Sequence, residues 1–211
     1  MPRILVSLFL LGIALLFVIN SCNIKNPVEA KEDCPKYNRE EYGTWKDGDG
    51  DCQNTRAEVL IEESLIPVSY KSPRDCKVTA GEWYDPYYNI TLYIASKVDV
   101  DHFVPLAEAH RSGGYGWTKA KKQKYANDVL DSNHLIAVSA SANRSKSDRD
   151  PGEWLPKNTR FIKEYALRWV QIKRKWNLTA NREELSVLRR ILGNSVKYPA
   201  EAVEAYCKEA G

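Results

Sequence analysis

Several features are missing from this chain of 211 residues, and each absence narrows what the protein can be. None of its five cysteines forms a Cys-x-x-Cys pair, which argues against a zinc ribbon. A net charge of only +3 does not by itself indicate a polyanionic partner. No internal repeat or low-complexity segment is present, so we expect one globular domain with its own hydrophobic core.

The chain also has no apolar run of the roughly 20 residues that a typical membrane span needs, and its longest is marginal for one. Its longest run, residues 4–19, follows a single positive charge at Arg3, as in the core of a signal peptide. The sequence Ile19-Asn20-Ser21-Cys22 then resembles the lipobox of bacterial lipoproteins, although Asn20 departs from the small or apolar residue usual there. This resemblance implies acylation at Cys22.

The sequence therefore predicts an exported protein. We expect a signal peptide over residues 1–21, a polar tether over 22–38 and a single domain over 39–211. A lipid-anchored lipoprotein, simple secretion and an uncleaved anchor all stay open. In each case the chain contacts a membrane only through its N-terminus.

Four cysteines remain when Cys22 is set aside, an even number suited to an oxidising compartment. Four cysteines allow three connectivities. We favour a local bridge between Cys52 and Cys76, which leaves Cys34 to pair with Cys207.

Hydrophobic periodicity and turn residues predict short strands in the middle of the chain and helices toward its end, an α+β fold. The predicted strands cover residues 76–83, 90–94, 97–100 and 135–138. The predicted helices cover residues 55–64, 105–110, 118–130, 159–176, 182–192 and 199–208, and one more starts at Ser139 or Ser141 and carries Asn143.

Two motifs carry residues suited to phosphodiester chemistry. The first is Asp-His-Phe-Val-Pro at residues 101–105, and the second is Asn-Arg-Ser-Lys-Ser-Asp at residues 143–148. Carboxylate and amide oxygens bind hard cations, histidine transfers protons near neutral pH, and arginine and lysine attract phosphate. Together they meet the needs of metal-assisted hydrolysis.

This joint pattern resembles the ββα-metal (His-Me finger) core of the HNH endonucleases, here at about residues 97–156. Over residues 40–160 the chain looks like secreted bacterial HNH-type proteins related to the C-terminal nuclease domain of GmrSD restriction systems. The resemblance implies that further N-terminal strands, an N-terminal helix and C-terminal helices surround this core. Either motif alone has low specificity, whereas the two together are specific.

The resemblance also implies a role for each residue. His102 would be the general base, and Asp101 and Asn143 would hold one divalent cation, Mg²⁺ or alternatively Mn²⁺. The middle asparagine of such motifs orients the catalytic histidine. Asn133 is the candidate for that role here, with His134 as its rival.

Residues 139–176 contain ten Lys/Arg against four Asp/Glu, an excess that attracts phosphate. Within this region, Arg144 and Lys146 are candidate contacts to the substrate backbone, and Arg56 is a third because its stretch, Cys-Gln-Asn-Thr-Arg at residues 52–56, resembles the secreted subgroup. For each of them, a salt bridge to a nearby carboxylate is an equal alternative.

The sequence thus predicts an exported, metal-dependent HNH endonuclease of low sequence specificity that hydrolyses DNA, with RNA as the other possible substrate. The alternative is a cell-surface lipoprotein that binds nucleic acid through an HNH-like fold without cleaving it. The sequence identifies no protein partner.

Overall fold

The computed structural model describes residues 35–71 and 76–201 and has the predicted mixed α+β architecture. The signal peptide, Cys22, Cys34, Cys207 and most of the predicted helix at 199–208 lie outside the described residues. The elements in chain order are α1 (Thr55–Glu62), β1 (Ser69–Tyr70), β2 (Val78–Asp85), β3 (Ile90–Ile94), β4 (Val98–His102), α2 (Leu106–Arg111), α3 (Lys119–Ala126), β5 (Leu135–Ser139), α4 (Ala140–Lys146), α5 (Ile162–Lys175) and α6 (Arg182–Leu192), with single 3-10 turns at Arg39–Tyr42, Ala95–Lys97 and Gly114–Gly116.

The first sheet is antiparallel with the strand order β1-β2-β3. Its inner face carries Trp83, which is fully buried and donates a hydrogen bond from its indole nitrogen to the carbonyl oxygen of Leu60 in α1 at 2.8 Å. A buried indole needs such a partner, because an unpaired polar group inside a core is costly. Helix α1 is thereby held against the sheet.

The second sheet pairs β4 with β5 in antiparallel register, so that Asp101 lies opposite Ile136 and His102 opposite Leu135. Helix α4 follows β5 directly and is capped by Ser139, whose hydroxyl accepts a hydrogen bond from the amide of Ala142 at 3.1 Å. Strand, strand and helix therefore form the ββα arrangement that the resemblance implies. Unlike the predicted strand, β4 extends through the Asp-His pair.

Helix α3 ends four residues earlier than the predicted helix, at Ala126. Asn127 leaves the helical conformation, with φ −124° and ψ 28°, and its side chain bonds to Lys46, Thr55, Thr44 and Gln123. An asparagine whose amide is used in this way favours the end of a helix over its interior. The early end matters because it places the Ala126 carbonyl beside the Asp-His strand.

Two clusters of buried apolar residues form the core. The smaller lies between α1, β2 and the β4–β5 pair and is centred on Leu60 and Trp83, whereas the larger joins the other side of that pair to α5 through Phe103, Tyr165 and Trp169. The β4–β5 pair thus lies between the two clusters, which holds its side chains in place. Within residues 35–71 and 76–201, no helix has the length and apolar character needed to cross a membrane.

Candidate active site

Adjacent residues on a strand point to opposite sides, and this separates Asp101 from His102. The Asp101 side chain meets α4, whereas the His102 side chain meets the end of α3. Both residues contribute to the lining of a surface cavity of about 260 Å³, to which Asn143 also contributes. The structure therefore brings together the three residues at the centre of the sequence prediction.

The Asp101 carboxylate is buried and ion-paired. Lys146, which is fully buried, places its Nζ 3.0 Å from one carboxylate oxygen and 2.8 Å from the other, and the Tyr87 hydroxyl donates to the second at 2.9 Å. Burial raises the pKa of Asp101, and the Lys146 charge opposes that rise. Lys146 thus neutralises Asp101 and does not reach the surface as the predicted phosphate contact would require.

Asn143 lies in the middle of α4 and is half-buried. Its amide nitrogen donates to the carboxylate of Asp99 at 3.2 Å. Asp99 is two residues before Asp101, so both carboxylates lie on one face of β4, and the Asp99 charge contributes to the raised pKa of Asp101. Sequence reasoning missed Asp99, although the alternation along residues 98–102 places it beside Asp101.

The His102 ring is fixed by a backbone group. Its Nε2 lies 2.9 Å from the carbonyl oxygen of Ala126, and because a carbonyl only accepts, Nε2 carries the proton and Nδ1 has the lone pair. Burial, and then the neighbouring His134, lower the pKa of His102 to about 3. The imidazole is therefore neutral at physiological pH, the form that a general base requires.

Neither of the two candidate orienting residues is hydrogen-bonded to the His102 ring, although His134 lies beside it. Asn133 donates from its side-chain amide to Asp131 at 3.2 Å. His134 is fully buried, donates from Nε2 to the Tyr125 carbonyl at 2.7 Å and stands edge-on to His102 with ring centroids 6.3 Å apart. The hydrogen bond on the His102 ring comes instead from Ala126, a backbone contact for which the sequence has no signal.

The remaining candidate contacts to substrate differ in exposure. Arg144 is exposed on α4. Arg56 donates to the carbonyl oxygens of Ala95 at 3.1 Å and Val98 at 2.8 Å, which ties α1 to the start of β4. Burial lowers the pKa of Arg56, and the charge of Asp99 works against this. Arg56 thus supports the strand that carries Asp99, and Arg144 is the candidate cation at the surface.

Cys52 and Cys76 form the local disulfide, with their Cα atoms 5.6 Å apart. The bridge links the segment before α1 to the start of β2. It therefore stabilises the N-terminal half of the domain without touching the cavity.

Residues 54–191 match the family model described as GmrSD restriction endonucleases, C-terminal domain, and the chain belongs to this family. A relative from Arthroderma benhamiae, described as an uncharacterized secreted protein, is 35% identical over 156 residues, which cover 74% of each chain. No solved structure matches the chain. The family is nuclease-related, and its matched region includes Asp101, His102 and Asn143.

Proposed function

We propose that this protein is an exported endonuclease that hydrolyses phosphodiester bonds in nucleic acid with the help of a divalent cation. The observation that carries the proposal is His102. Its ring is neutral, its Nε2 is fixed on the Ala126 carbonyl, and it shares one cavity with Asp101 and Asn143. The family to which the chain belongs supports the same class of activity.

In this mechanism His102 accepts a proton at Nδ1 from the attacking water, whose oxygen bonds to phosphorus as the bond from phosphorus to the leaving sugar oxygen breaks. The leaving oxygen takes its proton from solvent. Its Nε2–H remains on the Ala126 carbonyl, which prevents the ring from turning while the proton moves. Burial lowers the pKa of His102, so the imidazole is neutral at physiological pH and has a lone pair to accept the proton, but the same low pKa makes it a weaker base than an exposed histidine. Arg144, exposed on the same helix as Asn143, would bind a flanking phosphate of the substrate.

The oxygens near the cavity fit a hard divalent cation such as Mg²⁺ or Mn²⁺. Asn143 and Asp101 are the predicted ligands, and Asp99 adds a half-exposed carboxylate already in contact with Asn143. A cation bound there would supply positive charge to stabilise the phosphate in the transition state. The Asp101 carboxylate already binds Lys146 and Tyr87. The side-chain oxygens of Asp99 and Asn143 are therefore more accessible to a cation.

DNA is the proposed substrate, with RNA as the alternative outcome. The test incubates the purified full-length protein with supercoiled plasmid or with RNA, with Mg²⁺ and with EDTA, beside His102→Ala. We expect nicking that needs Mg²⁺ and is lost in His102→Ala. Arg144→Ala tests the proposed phosphate contact separately and should weaken substrate binding while leaving some cleavage. Cleavage that persists in EDTA or in His102→Ala contradicts the mechanism.

A second candidate, nucleic-acid binding without turnover, is favoured by the ion pair between Lys146 and Asp101, which withdraws a predicted cation ligand. Retarded plasmid mobility without nicking would support it.

Export is proposed from the apolar segment at residues 4–19 and from the relative described as secreted. Acylation at Cys22 is the finer proposal. Mass spectrometry of the mature N-terminus separates a lipid-bearing Cys22 from a plain cleaved end.

A further inference from the structure

Trp45 covers one face of the His102 ring. The two ring centroids are 5.0 Å apart and the ring planes differ by 9°, a stacked arrangement. Trp45 lies nine residues before the start of the family match at residue 54. A part of the chain outside the matched region therefore contacts the proposed base.

We propose that Trp45 is a positioning residue that holds the His102 ring in its productive orientation. The inference rests on the proposed function, because it assigns Trp45 a role through His102. The inference adds to the proposed active site a residue, Trp45, that lies before the matched region.

The segment around Trp45 is fixed by Asn127. The Asn127 side chain accepts a hydrogen bond from the backbone amide of Lys46 at 2.9 Å and donates one to the backbone carbonyl of Thr44 at 3.3 Å. One side-chain amide thus bonds to the backbone on both sides of Trp45, as a neighbouring strand would. Thr55 adds a second anchor, since its backbone amide donates to the Lys46 carbonyl at 2.7 Å.

Asn127 directly follows Ala126, whose carbonyl accepts the hydrogen bond from His102. The turn at the end of α3 therefore restrains the orientation of the imidazole through two separate contacts. The Ala126 carbonyl fixes the ring edge, and Trp45, tethered through Asn127, fixes the ring face. A rotation of the imidazole about its Cβ–Cγ bond would break the hydrogen bond and separate the stacked rings.

Trp45 also packs against the smaller core cluster, so loss of packing must be separated from loss of positioning. Trp45→Leu keeps an apolar side chain in the core but removes the ring, whereas Trp45→Phe keeps a ring that can stack. Positioning predicts that Phe preserves function better than Leu even when both variants have equal thermal stability. A purely structural role predicts that activity follows stability.

The first readout is the NMR signals of the histidine rings in the full-length protein. A stacked indole shifts the His102 ring protons upfield, and His102→Ala identifies those signals among the three histidines. We expect the His102 signals to move downfield in Trp45→Leu and to stay nearer their wild-type position in Trp45→Phe. The signals of His110, whose ring contacts Tyr37 and Tyr42, are the internal control. Unmoved His102 signals in Trp45→Leu overturn the inference.

The second readout is plasmid cleavage. We expect kcat to fall about tenfold to a hundredfold in Trp45→Leu with KM little changed, since misplacing a reacting group is costly. Trp45→Phe should recover most of the rate. Wild-type rates in Trp45→Leu overturn the inference. The chemical shifts test the stacking contact, because the indole's ring current is lost whenever the indole is removed. If the wild-type protein does not cleave, the proposed function fails, while solvent exchange of the His102 Nε2 proton still tests positioning: it should be faster in Trp45→Leu than in Trp45→Phe if Trp45 holds the ring on the Ala126 carbonyl, and equal exchange in both variants overturns the inference.

Discussion

The ammonium group of Lys146 lies 2.8 Å from the carboxylate of Asp101, and both side chains are buried beneath the β4–α4 junction. This pair joins the predicted metal-binding strand to the helix that carries Asn143. A buried ion pair contributes little net stability when intact, but removing one partner leaves an uncompensated charge. Asp101 therefore has a structural role, through its ion pair with Lys146, that is separate from its proposed role in catalysis.

The first prediction concerns this pair. Lys146→Met should lower the free energy of unfolding by roughly 3–5 kcal/mol, because it leaves the Asp101 carboxylate buried without its cation. Adding Asp101→Asn should recover much of the loss. Urea denaturation of the two single variants and the double variant measures this, and purely additive losses would contradict the coupling.

The second prediction separates the cation ligands. Asn143→Ala and Asp99→Asn should each weaken Mn²⁺ binding, measured by calorimetry, by about tenfold or more, since even the outer partners of ligands can cost that much. Arg144→Ala is the control on the same helix and should leave Mn²⁺ affinity unchanged. Mn²⁺ affinity equal to that of the wild type in all of these variants would show that Asp99 and Asn143 do not bind the cation.

The third prediction concerns stability against pH. Burial raises the pKa of Glu63 to about 7 from an ordinary 4.5, and the hydrogen bond that Glu63 accepts from the Ala137 amide opposes the rise. Because the pKa of Glu63 is higher in the folded than in the unfolded protein, the contribution of this group to the free energy of unfolding is greatest below pH 4.5. That contribution is lost as the pH rises through 7. The folded protein must then bury a charge.

Glu63→Gln has no charge to bury, and its side-chain oxygen can still accept from Ala137. It should therefore exceed the wild type in unfolding free energy at pH 8 by on the order of 3 kcal/mol. The advantage should vanish at pH 4, and melting curves across that range provide the test. An equal advantage at both pH values would mean that packing, not ionisation, causes it.

The fourth prediction concerns the disulfide. Replacing both Cys52 and Cys76 with alanine should lower the free energy of unfolding by about 3 kcal/mol, as for a bridge that closes a loop of this size. Mn²⁺ affinity should not change, because neither cysteine lines the cavity that Asn143 lines. A loss of Mn²⁺ affinity as large as the loss of stability would show that the bridge also supports the site.

Most secondary-structure elements were predictable because each has a local cause. Asn54 and Asn181 cap α1 and α6 by accepting from backbone amides, and the apolar spacing that follows them is helical. The end of α3 was not predictable from local pattern. Val129 and Leu130 extend the helical spacing, but they are exposed in the structure, and the distant contacts of Asn127 end the helix first.

The amino-acid sequence by itself determined the α+β class, since strand and helix periodicities are properties of the chain. The grouping of Asp101, His102 and Asn143 was expected from the resemblance of the two motifs to the HNH core, and the Cys52–Cys76 bridge was the favoured one of the three connectivities that the sequence allows. Only the tertiary structure decided that Lys146 is buried against Asp101, that Asp99 reaches Asn143, and that Ala126 and Trp45 enclose the His102 ring. The Asn143 and Lys146 contacts join β4 to residues of α4 that lie 44 and 45 positions further along the chain. The Ala126 and Trp45 contacts depend on how the turn after α3 packs against the N-terminal segment, which is held by a hydrogen bond between Lys46 and Asn127, 81 residues apart. No local pattern encodes contacts over such separations.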